Sequence, residues 1–436
     1  MTYLYFIVTF AASDKNIIGN YSKSPNKGTM KIGFVNFNTE EKKRVAKMMQ
    51  LLQESEAIEE LGTGRVRDHF SDTLFPGTST LQHHAKYFAV LPSLYYHAAY
   101  KSKTLHAKYN DDVERYIREA EIQITRQLAE HGDGTPQNNI TGITGINTYK
   151  EALGDWRKYV KYDPTYIYGN GMARYGIIPD TGIYRLIHEI STTRRNDPHS
   201  KRDTDDDATG DADELTGDRQ PIKTCGETYH FFDGKTMSLA LTTSEATFLR
   251  DRINDTCRGT LLSFLIEGRN DIPPALDYYS VGSIIGGVDS AVADVYAKSV
   301  LFSKLMHLLD WRFNYCYYSS FGNTDKAARC DTAYHKLLAK HKDTIADKTA
   351  YLSLFAYTQG IDPTLTEFCR ACHEAIAEGD TARADQLVKA RERTVKRDRS
   401  KIGNSAYEDQ GRADPQPGTF RWETVRTIVN EIRNPQ

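Results

Sequence analysis

The sequence predicts a mainly α-helical protein, with many helices arranged in two lobes and a few short strands. Apolar residues recur at spacings of three and four residues over most long stretches, which is the spacing of one face of a helix. The chain has 436 residues, about two to three times the usual length of a domain, so two lobes are expected. Its composition, 39% hydrophobic and 26% charged, is typical of a globular protein with a large core.

The overall charge indicates no particular class of partner. The 56 lysines and arginines nearly balance the 58 aspartates and glutamates, and the formal net charge is −2. This balance excludes binding to nucleic acid or membrane through gross charge, so any binding surface must be local. The six cysteines are scattered along the chain, which is typical of reduced thiols. We therefore expect a cytoplasmic protein without a membrane partner.

Residues 1–29 are interpreted as an extension. The apolar run Tyr3–Ala12 is too short to span a bilayer and lacks the basic residues that precede a secretory signal. A polar stretch follows, and Met30 then opens a stretch that is typical of the start of a domain. We expect Met30 to be the initiator, and the alternative is a cleaved leader.

The N-terminal helical lobe is predicted over residues 30–195. Strands are predicted at Ile32–Phe37 and Lys86–Leu91, and an amphipathic helix over residues 39–56. Asp111 and Asp112 begin a further helix, whose apolar stripe runs to Leu128.

An acidic linker is predicted at residues 196–221. Its central part, Lys201–Asp218, holds eight acidic residues and two basic ones, with almost no apolar side chains to bury. The C-terminal helical lobe then covers residues 222–436, with the helix Asp289–Tyr318 as its longest element. Shorter helices are predicted at Thr243–Ile253, Lys326–His341, Thr344–Tyr357, Pro363–Glu378, Thr381–Arg397 and Glu423–Ile432.

Three short motifs have a functional and a structural interpretation. Ile285–Ser290 is similar to the phosphate loop of ATP pyrophosphatases, but two glycines followed by Asp289 also suit a helix cap. Cys369 and Cys372, followed by His373, match a haem-attachment pattern, but two thiols one helical turn apart are more often buried. In each case we favour the structural interpretation.

The third motif lies in the acidic linker. Acidic residues fall at the ligand spacing of a calcium-binding loop, although Ala208 stands where that loop requires glycine. An acidic loop in solvent matches such spacing easily, so we expect no metal there. The residues concerned are Asp203, Asp205, Asp207, Asp211 and Glu214.

The strongest local charge lies in Lys389–Lys401, which holds seven basic and two acidic residues. Such a stripe can neutralise several phosphates and bind nucleic acid without reading its sequence. The alternative is a solvated helix end, where cations also suit the helix dipole. A second basic and aromatic stretch runs from His83 through Lys103.

A catalytic site is not favoured by the sequence. His83 and His84 with Asp68 and Asp72 could imitate a metal or catalytic cluster, but packing or surface roles are commoner for such residues. Nucleophile elbows, HExxH and Walker loops are absent. We lean toward a protein without an enzymatic activity or cofactor, and a metal- or ATP-dependent enzyme remains an alternative.

Several stretches resemble one known family, domain-of-unknown-function family 6361. The first stretch reads ELGTGRVRD over Glu60–Asp68 and LFPGTSTLQ over Leu74–Gln82, followed by Ala85–Phe88 and Pro92. The other stretches that resemble the family are Tyr168–Ile177, Leu241–Ile253 with Gly259–Leu262, and Phe420–Ile428. His83, His84, Lys86 and Ser93 depart from the usual signature and lower the positive charge of that loop.

The resemblance implies a process and leaves the reaction open. Proteins of this family look like bacterial members of multi-gene anti-phage defence loci, beside helicase-like and phospholipase-D-like partners. Our first hypothesis is an accessory defence component that holds nucleic acid by its phosphates. The alternative is a scaffold that docks such a partner through tyrosine-rich surfaces. The residues predicted to contact phosphates are Arg65, Arg67, Lys86, Lys396, Arg397 and Arg399.

The first signature stretch is also expected to have a structural role. We predict that Arg67 and Asp68 form a buried or half-buried ion pair that orders the following loop. Phe75 belongs to that loop, and Pro76 and Gly77 set its turn. Maintenance of the fold is favoured over direct chemistry for these residues.

Overall fold

The computed structural model describes residues 60–101, 103–130, 145–160, 162–196, 222–268, 272–408 and 410–436. These residues all lie within one of two structural units of the chain, Glu56–Gln436; the other is Met1–Ser55. Several predictions fall outside the described residues. They are the extension 1–29, the strand Ile32–Phe37, the helix 39–56, the calcium-like spacing Asp203–Glu214 and almost all of the linker 196–221.

The described residues form helices joined by turns. Short 3₁₀ segments lie at Trp156–Lys158, Tyr278–Ser283, Arg397–Arg399 and Ser405–Tyr407, and a π-helical turn at His97–Lys101. The α-helices are α1 (Gly64–Leu74), α2 (Tyr87–Tyr96), α3 (Lys103–Tyr109), α4 (Val113–Glu130), α5 (Gly145–Ala152), α6 (Pro164–Arg174), α7 (Ile183–Asn196), α8 (Thr243–Thr256), α9 (Leu261–Glu267), α10 (Ser290–Ser320), α11 (Thr324–Lys340), α12 (Lys342–Ala346), α13 (Lys348–Gln359), α14 (Pro363–Ala377), α15 (Thr381–Lys396) and α16 (Trp422–Arg433).

The mainly α-helical class is confirmed, and the strand at Lys86–Leu91 is wrong. That stretch is the start of α2, in which almost every side chain is buried. A short apolar run is compatible with a buried strand and with a buried helix. Pro92 lies inside this helix, and proline disfavours the interior of a helix. Across the parts of the chain that the structure describes, no residue lies in a β-strand.

The predicted helix Thr344–Tyr357 is two helices in the structure. α12 ends before Asp347, and the carboxylate of Asp347 accepts a hydrogen bond from the backbone N–H of Ala350 at 3.0 Å. Aspartate is a preferred N-cap, so this bond begins α13 as a separate element. In contrast, α10 begins beside Asp289 as expected, and the Asp289 side chain accepts from the N–H of Ala291 at 2.8 Å.

The hydrophobic core is continuous across the two predicted lobes. Buried residues before the segment 197–221, such as Phe88, belong to the same cluster as Leu309 of α10 and Val425 of α16. α10 is the central helix of the C-terminal part and packs against α1, α11, α13 and α15. The core therefore does not divide where the acidic linker was predicted.

An extended segment, residues 410–418, lies along α10 and is called the strap. Side chains of α10 hold its backbone carbonyls: Asn314 Nδ2 donates to Ala413 O at 3.1 Å, and Ser303 Oγ donates to Gly418 O at 2.8 Å. Between them, a ring nitrogen of His307 lies 3.1 Å from Pro415 O. These hydrogen bonds satisfy backbone carbonyl groups of the strap, as the hydrogen bonds between strands do in a sheet.

None of the helices found in the described residues is long and apolar enough to cross a membrane.

Candidate nucleic-acid interface

Two elements that carry arginines predicted to contact phosphates, α1 and α15, lie side by side. Arg391 of α15 donates through Nε to Leu61 O at 2.9 Å, just before α1 begins. A methyl group placed on Gly62 would lie 3.1 Å from Val395 Cγ2, so the chain entering α1 packs directly on α15. Segments more than three hundred positions apart thus pack against each other.

Glu60, which precedes α1, forms ion pairs beside this contact between α1 and α15. Its carboxylate is 6% exposed and accepts from Lys401 Nζ at 2.6 Å and from Arg412 Nη1 at 3.0 Å. Lys396 Nζ lies 3.9 Å from the other carboxylate oxygen, and Lys396 is itself buried. The charges of Lys396 and Lys401 therefore neutralise Glu60, and Lys396 does not lie on the surface as predicted.

Asp310 of α10 belongs to the same charged group. Although it keeps some exposed surface, its carboxyl group is largely removed from water, which raises its pKa to about 7. The nearby charge of Glu60 raises this pKa further, while Arg412 acts in the opposite direction. Asp310 therefore exchanges a proton near neutral pH.

The end of α15 turns its arginines to solvent. Arg397 is the C-cap residue, with φ 50° and ψ −120°, a conformation that favours glycine. Holding a non-glycine residue there costs about 1–3 kcal/mol. Arg393, Arg397 and Arg399 are all exposed, and residues 394–399 line a shallow surface depression.

The arginines of α1 are also accessible. The Arg65 side chain is 71% exposed, and its Nη1 lies 3.9 Å from Asp362 Oδ2. Arg67 lies 3.2 Å from Asp68, in a pair whose side chains are 38% and 52% exposed. Exposed pairs of this kind contribute little stability, so a phosphate could compete for either guanidinium group.

The ion pair of Arg67 and Asp68 is present, with Arg67 half-buried and Asp68 exposed. The predicted position of Lys86 requires correction. Lys86 is buried instead, with Nζ 2.7 Å from a Glu245 carboxylate oxygen and 3.2 Å from Ala240 O. Lys86 thus joins α2 to α8 and does not reach the arginines of α1.

The loop after α1 is ordered by a different arginine. Arg421 donates through Nη1 to Thr78 O at 2.7 Å and to Asp72 Oδ1 at 2.6 Å. Phe75 is fully buried, and its ring centroid lies 6.2 Å from that of Trp422. The first signature stretch is therefore held by the stretch at the end of the chain.

Gly77 sets the turn as expected, and it also permits a close contact. Its φ is +79°, and a methyl group there would lie 2.6 Å from the Tyr175 ring. Gly171 of α6 approaches just as closely, because a methyl group there would lie 2.5 Å from Gly77 O.

The backbone at His83 and His84 is held by a tyrosine of α6. Tyr168 OH accepts hydrogen bonds from the backbone N–H groups of His83 and His84 at 3.0 and 3.1 Å.

The other short motifs have structural partners. Cys369 and Cys372 are buried in α14, and burial raises the pKa of the Cys369 thiol to about 12. The ring of His373 stacks on Tyr351, with 4.0 Å between centroids. His84 Nδ1 lies 2.6 Å from Glu431. Among the described residues, no group of three or more histidine, cysteine or acidic side chains could hold a metal.

The sequence prediction missed two contributors to this surface. Arg393 lies within the basic run, but its exposure depends on the helical phase of α15, which the charge pattern does not give. Glu60 was recognised only as part of a signature. The role of this buried carboxylate cannot be recognised from the neighbouring sequence, because its three basic partners come from distant positions.

Comparison with known proteins supports the first part of the family resemblance. A family described as of unknown function, DUF6361, matches residues 30–145, a range that contains the first signature stretch. No curated protein and no solved structure matches the chain. The chain is therefore similar, over residues 30–145, to the DUF6361 family, whose function is unknown.

Proposed function

We propose that this protein binds the phosphate backbone of nucleic acid without reading its sequence, as an accessory component of a bacterial anti-phage defence system. The binding surface, called the arginine surface, consists of Arg65, Arg67, Arg393, Arg397 and Arg399. One observation carries the proposal: the chain entering α1 packs on α15, with Lys396 and Lys401 directed at Glu60 and the arginines facing solvent.

Arginine suits this role by its chemistry. Its guanidinium group donates two parallel hydrogen bonds to a phosphate and remains charged at any physiological pH. The carboxylates of Asp68 and Asp398 lie among these arginines, so the surface is only moderately positive. We therefore expect weak binding that falls steeply with salt, and no preference for base sequence.

The test is a titration of fluorescent single- and double-stranded DNA and RNA with the full chain, at several salt concentrations from low to physiological. The variant is the triple substitution Arg393→Gln, Arg397→Gln and Arg399→Gln. A matched control removes three exposed basic residues on other elements, namely Lys150→Gln, Arg258→Gln and Lys326→Gln. Affinity should fall in the first variant and remain near the wild-type value in the control.

The same titration decides between this proposal and the scaffold alternative. A scaffold for a helicase-like or phospholipase-D-like partner would show no affinity for free nucleic acid, even at low salt. It would instead be purified together with that partner. Absence of binding at low salt by the wild-type protein would therefore reject the arginine surface as a nucleic-acid site.

A further inference from the structure

A second group of basic side chains lies away from the arginine surface, where α10 meets the turn between α11 and α12. Lys304 and His307 lie about one turn apart on α10, and Lys340 and His341 end α11. We call these four residues the cation cluster. Lys304 Nζ donates to Thr344 Oγ1 of α12 at 3.2 Å, which joins α10 to α12 at this point.

Tyr279 of the 3₁₀ segment Tyr278–Ser283 lies between two members of the cluster. Lys304 Nζ is 5.7 Å from the centroid of the Tyr279 ring. The His341 ring meets the same tyrosine edge to face, with 6.1 Å between centroids. An ammonium group and an imidazole group thus share one aromatic neighbour, in a partly buried position.

In the part of the chain that the structure describes, no carboxylate pairs with the cluster. Among the described residues, none of the four basic side chains forms an ion pair. Burial lowers the pKa of His341 to about 4, and the charges of Lys304, Lys340 and His307 act in the same direction. Burial and Lys340 also lower the pKa of Lys304. Cations packed in this way repel one another unless an anion joins them.

The position of these cations is only partly explained by the helices themselves. The dipole of α11 accounts for Lys340 and His341 at its C-terminal end, but it does not account for Lys304 of α10.

We propose that the cation cluster binds a phosphate group. Lys304 and Lys340 supply two ammonium groups, and Thr344, which lies within hydrogen-bond distance of Lys304, supplies a hydroxyl group. A tetrahedral oxyanion accepts several such bonds at once and removes the repulsion between the lysines. Inorganic phosphate and a phosphodiester of nucleic acid share this chemistry.

The first experiment is a calorimetric titration of the full chain with inorganic phosphate, at constant ionic strength maintained with chloride. Lys304→Gln and Lys340→Gln should each weaken binding at least about ten-fold, because each removes a charged donor. Lys340 is exposed, so its substitution leaves folding intact. Lys336→Gln, also exposed and one turn earlier on α11, is the matched control and should bind as tightly as the wild type.

Absence of phosphate binding by the wild type at millimolar concentration would overturn the proposal, as would equal affinities in all four proteins. A second titration uses a short DNA strand without terminal phosphates. Weaker DNA binding in Lys340→Gln would identify a nucleic-acid phosphodiester as the ligand of the cation cluster. Unchanged DNA binding would identify a small phosphate compound as the ligand. Arg397→Gln should affect only the DNA titration, so this site and the arginine surface are tested separately.

Discussion

Asp310 is a residue whose protonation state changes near neutral pH. Burial and the charge of Glu60 raise its pKa from the usual 3.8 to about 7. Between these two values, the folded protein holds a proton on Asp310 that the unfolded chain releases. Rising pH in this window therefore favours unfolding, and the contribution of Asp310 to stability is lost as pH increases.

Asp310→Asn should remove this dependence. We expect the variant to match the wild type near pH 4 and to be more stable at pH 8, on the order of 2 kcal/mol once its exposed surface is considered. The measurement is urea unfolding of both proteins from pH 4 to pH 8. A constant difference in the free energy of unfolding over that range would show that Asp310 does not titrate as described.

Gly171 tests the contact between the first two signature stretches. In Gly171→Ala, the new methyl group would lie 2.5 Å from Gly77 O and 2.7 Å from the Phe88 ring, so the backbone must move. We expect a loss of about 1–3 kcal/mol in the free energy of unfolding, measured by thermal melting. Gly286→Ala is the control, because its methyl group meets nothing within 4 Å. Equal melting temperatures for the two variants would contradict the close contact.

At the scale of elements, the strap shows what hydrophobic patterning cannot predict. The strap has no periodic apolar residues, and it is ordered by side chains of α10 that bond its carbonyl groups. The sequence predicted α10 itself nearly to the residue, since its apolar stripe is broad and Asp289 caps it. The pattern contained no information about which polar residues of α10 would hold another segment. α2 was misassigned because its buried side chains form no stripe.

Tyr317→Phe should loosen the strap. The Tyr317 hydroxyl donates to Gln410 O at 2.5 Å and also contacts Tyr407 O. Its removal should cost about 1–2 kcal/mol for local opening and increase tryptic cleavage after Arg412 roughly 5- to 30-fold. Tyr315→Phe is the control on the same helix, because the Tyr315 hydroxyl has no hydrogen-bond partner in the described residues. Similar cleavage of both variants would reject the role of Tyr317.

At the scale of the whole molecule, the four stretches that resemble the family lie against one another. Lys86 of the first pairs with Glu245 of the third, Gly77 of the first touches Tyr175 of the second, and Arg421 of the last binds Thr78 O. These contacts explain how short motifs that are far apart in the chain can belong to one structure. The sequence identified the motifs, but their mutual packing depends on tertiary distances.

The sequence predicted only part of the candidate site, because the site also depends on tertiary packing. The charge pattern correctly marked the run Lys389–Lys401 as basic, but it could not separate inward from outward cations. Lys396 is buried near Glu60, whereas Arg397, the next residue, is exposed because its unusual backbone conformation turns the chain. The cation cluster was missed because Lys304 and Lys340 lie on different helices and form no run.

The central claim is that the arginine surface holds nucleic acid by its phosphates, and the slope of log affinity against log salt concentration tests it most directly. For duplex DNA this slope counts released counterions at about 0.9 per neutralised phosphate. Removing Arg393, Arg397 and Arg399 should therefore reduce the slope by roughly 2 to 3, while the control variant with Lys150, Arg258 and Lys326 replaced should keep the wild-type slope. Equal slopes for all three proteins would contradict the account.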